Sequence, residues 1–306
     1  MKKFFVLLIA ALLWTTIPAQ AELVNDSFAS TTARIEEFYS TLPQAKGDYK
    51  VRQRPILIQG AMNVETDVLI HALKNPVAYR ELNYLFVAGT YKNYPVVVVR
   101  TEEGLANAAA STVLAIRKFN PVAVINQGTA GGYDINLHVG DIVVGSLSVD
   151  TSAIKTAYSP AGSGIDFTRQ EMFGTYAFDE SSGNFQPYSE YHADTTLFNM
   201  AFAVANTHGN FNVVSGTIGT SGSWNNNVDY INFLREKYGT SCEDMETNAV
   251  AQICHTAGIP FLGIRVISNS AVTGEKFSVE SATVAQNFVL LVVEDYVNKI
   301  LRASKS

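Results

Sequence analysis

The chain predicts a single α/β domain built on a largely parallel sheet with antiparallel additions, and three observations carry that reading. Short apolar runs of strand length alternate with helix-patterned segments from Pro55 onward. Neither an internal repeat nor a linker breaks the alternation. The 306 residues, 47% of them hydrophobic, suffice for one large core.

Taken in order, residues 22–53 are mixed in composition. A short surface helix near residues 32–39 is the one regular pattern there. Ile56-Leu57-Ile58 predicts a buried strand, Gly60-Ala61 a turn, and residues 65–73 a helix. Strands follow at 84–89 and 95–99, the second carrying a run of four valines. Residues 104–119, rich in Ala, predict a helix. Residues 122–126 predict a strand that ends in a small-residue loop, Gly128-Thr129-Ala130-Gly131-Gly132, and Asp141 begins another strand. Residues 151–192 are rich in Ser, Gly, Tyr and Phe without period, which predicts a lid, an insertion or a dimer contact. Helices are then expected at 193–206, 228–238 and 245–257, with a strand at 212–220. Gly258 turns the chain into a buried strand at 260–267, and an amphipathic helix near 278–301 closes it.

Lys2-Lys3, the apolar stretch 4–13 and the small-x-small Ala19-Gln20-Ala21 form a three-part export signal. The apolar stretch is shorter than the roughly twenty residues that span a bilayer. No Cys follows the cut to carry a lipid. The organisation expected is therefore a signal peptide at 1–21, an extension at 22–53 and the domain at 54–303. The mature protein would be periplasmic or secreted, with no stable membrane anchor after cleavage. A net charge of −6 and no basic run beyond Lys2-Lys3 argue against a nucleic-acid partner. The only two cysteines, Cys242 and Cys254, are expected unpaired. Cys254 lies well inside the helix after Cys242, about 15 Å or more away, whereas disulfide Cα atoms must come within about 7 Å. The five histidines show no ligand spacing, so no metal and no cofactor is expected.

Four motifs carry chemistry. In Gly60-Ala61-Met62-Asn63-Val64-Glu65 a strand ends, the chain turns, and a carboxylate enters the first turn of a helix. There it can hold a water as general base, or serve only the helix dipole for a few tenths of a kcal/mol. The small residues 128–132 let backbone approach a ligand, or make a plain tight turn. They match neither a Walker loop nor a dinucleotide fingerprint. In Glu243-Asp244-Met245-Glu246 the last carboxylate can accept from two neighbouring hydroxyls, or again complement a helix start. Finally, Arg265-Val266-Ile267-Ser268-Asn269 ends a buried strand in a polar pair, where a parallel sheet opens its ligand crevice.

In this order and spacing the motifs resemble the nucleoside phosphorylase/nucleosidase superfamily, and within it most closely the methylthioadenosine/S-adenosylhomocysteine nucleosidases. The resemblance runs from about residue 56 to 301. It also takes in residues 104–109, Val139-Gly140-Asp141-Ile142-Val143-Val144 and Ile259-Pro260-Phe261. It implies a central mixed sheet, partly barrel-like and flanked by helices, in a homodimer that takes a small-molecule purine nucleoside. Glu65 matches the carboxylate that positions the attacking water, and Thr129 the hydroxyl residue near water and ribose. Met245 and Glu246 match the ribose-binding pair, Glu246 holding the 2′ and 3′ hydroxyls. Trp224 falls near the aromatic that stacks on the base, and Phe277 is expected to line the 5′ pocket. Ser268 and Asn269 face the purine. The family often has an Asp proton donor where Asn269 stands, and an Asn can donate a hydrogen bond but cannot give up a proton.

The sibling phosphorylases typically carry one Arg in the loop after the first strand and another just before the Gly-Ser/Thr loop. Here those places hold Glu65 and Asn126. A phosphate dianion would be uncompensated beside Glu65, so water is the expected nucleophile. Asn269 leaves three readings: a hydrolase of 6-oxopurine nucleosides, futalosine-like compounds among them; a slower hydrolase of adenine thionucleosides; or a non-catalytic nucleoside-binding or storage protein. A phosphate-dependent phosphorylase is the remaining alternative.

Overall fold

The computed structural model describes residues 19–45, 51, 53–179 and 181–303. The export signal expected at 1–21 lies outside them except for its last three residues. The chain opens with α1 (Ala19–Thr41), β1 (Ile56–Gly60) and α2 (Asn63–His71). A meander follows, of β2 (Lys74–Glu81), β3 (Tyr84–Tyr91) and β4 (Tyr94–Arg100). Next come α3 (Leu105–Phe119), β5 (Ala123–Gly132) and β6 (Ile142–Asp150). Short strands β7 (Ile154–Thr156), β8 (Gln170–Met172), β9 (Thr175–Asp179), β10 (Asn184–Tyr188) and β11 (Glu190–His192) occupy the segment 151–192 that showed no period in sequence. Then come α4 (Thr195–His208), β12 (Val213–Thr220), α5 (Val228–Tyr238), β13 (Thr240–Asp244), α6 (Thr247–Ala257), β14 (Phe261–Asn269) and α7 (Ser281–Ala303).

The sheet is mixed and partly closed, as the resemblance implied. β5, β14, β6, β12 and β13 pair in turn into a ring. From β5 the sheet extends outward through β1, β4, β3 and β2. Both faces of β1, β4 and most of β3 are buried, which is why these strands read as apolar runs, whereas β2 at the edge is mostly exposed or half-buried. Ile56 and Ile58 of β1, with Val96 and Val98 of β4, point into the core covered by α2, α4 and α7. Leu57, Val97 and Val99 point the other way, into the core with α3 and α6. Local chemistry sets the helix ends. Asp194 and Asn227 cap α4 and α5 by accepting from Leu197 N and Tyr230 N.

Several expectations are corrected. The N-terminal helix is 23 residues long rather than a short surface helix near residues 32–39, and tertiary contacts hold it. Tyr39 is fully buried, and its hydroxyl lies 3.0 Å from Thr66 Oγ1 in α2. Arg100 Nη1 donates both to Glu36 of α1 and to Asn63 at the start of α2, at 2.5 and 2.7 Å. Strand β2 was not expected; its lysine and proline mark an outer edge strand. Strand β5 runs straight through the expected loop at 128–132. Its glycines make room for neighbouring side chains: a Cβ on Gly128 would sit 2.8 Å from Glu65 Oε1. Strand β13 precedes α6, so Met245 and Glu246 lie between strand and helix rather than inside the helix.

One topological detail positions the site. β5 pairs with β1 as far as Asn126, and with β13 only from Gly131. Between those points its edge has no strand partner, and a crevice opens beyond the C-terminal end of β1.

Candidate active site

A cavity of about 300 Å³ fills this crevice. Glu65, Thr129, Trp224, Met245, Glu246, Ser268, Asn269 and Phe277, every site residue expected from sequence, line it together. No residue of 151–192 lines it among the described residues, so the expected lid takes no part in the walls.

Glu65 sits where β1 hands over to α2, and four donors fix its carboxylate. Oε2 accepts from Ala61 N (2.8 Å) and Met62 N (3.1 Å). Oε1 accepts from Thr129 N (2.7 Å) and Thr129 Oγ1 (2.9 Å). The Thr129 amide is the one left without a strand partner when β5 parts from β1, so the gap in the sheet and the carboxylate satisfy each other.

Across the cavity, Glu246 Oε1 accepts from Gly104 N at 2.8 Å. Gly104 adopts φ 95°, a left-handed conformation that delivers its amide to this carboxylate. Burial first, then the neighbouring Asp244 and Glu65 charges, push the Glu246 carboxyl well above the usual range. Arg265 pulls it back from 3.9 Å. Arg265 itself is almost wholly enclosed, donating to Asp244 Oδ2 and, at 2.5 Å, to Asn126 Oδ1. Asp244 also accepts from Thr247 N and Thr220 Oγ1. Asn126 therefore supports Arg265 and does not face the cavity. Removing one partner of such a buried pair typically costs about 3–5 kcal/mol. Arg265→Met is accordingly expected to lower the free energy of unfolding in urea by about that amount. A change below about 1 kcal/mol would mean the pair is dispensable.

At the far end, Ser268 Oγ approaches Asn269 Oδ1 at 2.9 Å and the Ala130 carbonyl at 3.1 Å. With its one proton on the nearer acceptor, the Asn269 carbonyl is occupied. Its Nδ2 is left toward Gly131 and the cavity. Trp224 and Phe277 form one aromatic wall, ring centroids 6.1 Å apart, with Trp224 62% exposed.

Sequence reasoning missed further lining residues: Phe28 from α1, Tyr133, Asn225 and Glu243. Phe28 gave no signal, because it belongs to an extension without a usable pattern. Glu243 was visible only as part of an acid run credited to a helix start; its place on β13 is what aims it inward. Five carboxylates, Glu65, Glu103, Glu243, Asp244 and Glu246, line the cavity, and among the described residues no Lys, Arg or His does. Also among the described residues, no group of three or more His, Cys, Asp or Glu is placed to hold a metal ion.

Fold and cavity together define a class: a ring-closed α/β domain with an acid-lined crevice at the end of its first strand. The sequence profile of the Phosphorylase superfamily matches residues 55–298, and the chain belongs to that family. A 5′-methylthioadenosine/S-adenosylhomocysteine nucleosidase of Halalkalibacterium halodurans is 32% identical over 242 residues, 77% of this chain and 96% of its own. The enzyme of that name from Neisseria meningitidis, solved with methylthio-immucillin-A, is 25% identical. That match covers 79% of this chain and 100% of that one, with a TM-score of 0.65. The futalosine hydrolase of Helicobacter pylori, 22% identical over 79% of this chain and 98% of its own, shares the fold with a TM-score of 0.63.

Proposed function

We propose that this chain is an exported purine nucleosidase that hydrolyses the N-glycosidic bond of a nucleoside, as a homodimer. The observation that carries the reaction type is the cavity's charge. Its walls hold five carboxylates and no cation among the described residues. A phosphate dianion there would be buried against like charge, whereas a water finds acceptors. Glu246 accepts from the ribose hydroxyls, and Glu65 with Thr129 orients the water toward the anomeric carbon, the Thr129 hydroxyl turning its proton away from Glu65 Oε1 so that the position it fills at 2.9 Å passes to the water. As the glycosidic bond stretches, positive charge on the ribose ring grows between the two carboxylates and is stabilised by them. The bond's electrons leave with the base, and Asn269 Nδ2 donates a hydrogen bond to N7. A 6-oxopurine offers acceptors at both O6 and N7, which suits an amide donor; a 6-aminopurine offers a donor beside N7. Export is supported by the three-part leader, and fits salvage of nucleosides outside the cytosol.

The test is chromatography of free base released from inosine, adenosine, methylthioadenosine and S-adenosylhomocysteine, with and without phosphate. Release without phosphate is expected. Release only with phosphate would make the protein a phosphorylase. Binding without release would make it a binding or storage protein.

Phe28 brings the N-terminal helix to the substrate. Phe28→Ala is expected to raise KM about 5- to 10-fold with kcat nearly unchanged, as loss of about 1 kcal/mol of apolar contact would do. An unchanged KM on every substrate would remove α1 from the binding site.

A further inference from the structure

The base end of the cavity holds a carboxylate to which nothing above gives a task. Glu243 on β13 and Asn269 on β14 both pair with Gly131 of β5, one from each side. The register of β14 shifts at Ser268, and beyond that shift Asn269 Nδ2 lies 3.7 Å from where a Cβ on Gly131 would stand. Glu243 and Asn269 both line the cavity, so the two side chains flank the space over Gly131 from strands on either side of it, about 10 Å apart at their Cα atoms. Gly131 contributes no side chain, and that space stays open as cavity floor. The wall of Trp224 and Phe277 stands in the same cavity. A flat heterocycle over Gly131 would meet an amide donor at one edge and a carboxylate at the other.

Glu243 is prepared for such an edge. Its oxygens accept from Asn225 N at 3.0 Å and from Asn225 Nδ2, which also donates to the Tyr133 hydroxyl at 3.2 Å. An ionised carboxylate accepts about four hydrogen bonds, so acceptor capacity remains for a ligand. The Asn225 contacts also lock its orientation. Burial pushes this carboxyl above the usual range, while Tyr133 and Asn225 favour the charged form.

We infer that Glu243 is the specificity-determining residue for the base, accepting the N1–H of a 6-oxopurine while Asn269 donates to its O6 and N7 edge. This deepens the nucleosidase reading and rests on it for the placement of the base. An adenine ring has an unprotonated N1, which would set a lone pair against the carboxylate, and a 6-amino group, which would face the Asn269 amide. The two residues thus reject the same base for independent reasons.

The test compares hypoxanthine, 1-methylhypoxanthine and adenine binding by titration calorimetry, beside base release from inosine, 1-methylinosine and adenosine. Wild-type protein is expected to bind hypoxanthine about 10- to 100-fold more tightly than either other base, the cost of leaving one buried polar group unpaired. In Glu243→Gln the side chain must turn an N–H toward a position that now accepts, so the preference should shrink to a few-fold. Equal binding of the three bases, tighter binding of adenine, binding of none, or an unchanged preference in a folded Glu243→Gln would each overturn the assignment. The 1-methyl comparison needs only wild-type protein, so it stands even where the variant fails to fold. Hypoxanthine selectivity without base release would sink the nucleosidase reading and leave Glu243 its role. Adenine release outpacing hypoxanthine release would do the reverse.

Discussion

Glu65→Gln is expected to lower kcat by about 10²- to 10⁴-fold, the range for loss of a positioned general base, while nucleoside binding persists through Glu246. The carboxylate receives two backbone amides on one oxygen, and an amide with a hydroxyl on the other. Only an acceptor at both positions satisfies that set. A glutamine offers one acceptor, and its amide nitrogen must face either Ala61 and Met62 or Thr129. The variant therefore also loses stability, by about 1–3 kcal/mol for the donors left unpaired. A thermal melt separates the two effects: a folded variant with slow turnover and retained ligand binding locates the loss in catalysis. Retention of full kcat would show that Glu65 only braces the start of α2. Gly128 bears on the same point, since a Cβ there would come within 2.8 Å of Glu65 Oε1.

The residues of this candidate site were legible in sequence because they sit at strand ends, where a polar residue interrupts an apolar run. Glu65 after Ile56-Leu57-Ile58, and Ser268-Asn269 after the run from Phe261, are of that kind. What escaped depends on tertiary context. The glycines of residues 128–132 read as a loop because glycine is depleted in strands. Here β5 needs Gly128 and Gly132 because Glu65 and Ile267 fill the space their side chains would take, while the space over Gly131 belongs to the cavity. Helix α1 is weakly patterned, and Tyr39 and Glu36 hold it through partners on α2 and β4. Glu243 looked like one acid among several. Only the pairing of β13 and β14 to either side of Gly131 shows that it faces Asn269.

Asn269→Asp is expected to invert the base preference. Cleavage of adenosine and methylthioadenosine should rise by about 10² or more, as expected when a general acid is restored, and cleavage of inosine should fall. The substitution preserves shape. One oxygen keeps the Ser268 hydroxyl, and the other takes the place of Nδ2 toward the cavity. Glu243 already stands across Gly131, and Glu246 lines the same space. A third carboxylate among these is disfavoured in its charged form, which raises its pKa and keeps it protonated closer to neutrality. Protonated, it donates to N7 as the base leaves. Ionised, it repels O6 of a 6-oxopurine and accepts only from a 6-amino group. Wild-type protein has nothing to titrate at this position, so the variant alone should gain a limb in its kcat profile that falls as pH rises through the new carboxyl's pKa. An unchanged substrate ranking together with an unchanged pH profile would show that residue 269 does not touch the base. The 6-oxopurine assignment would then rest on Glu243 alone.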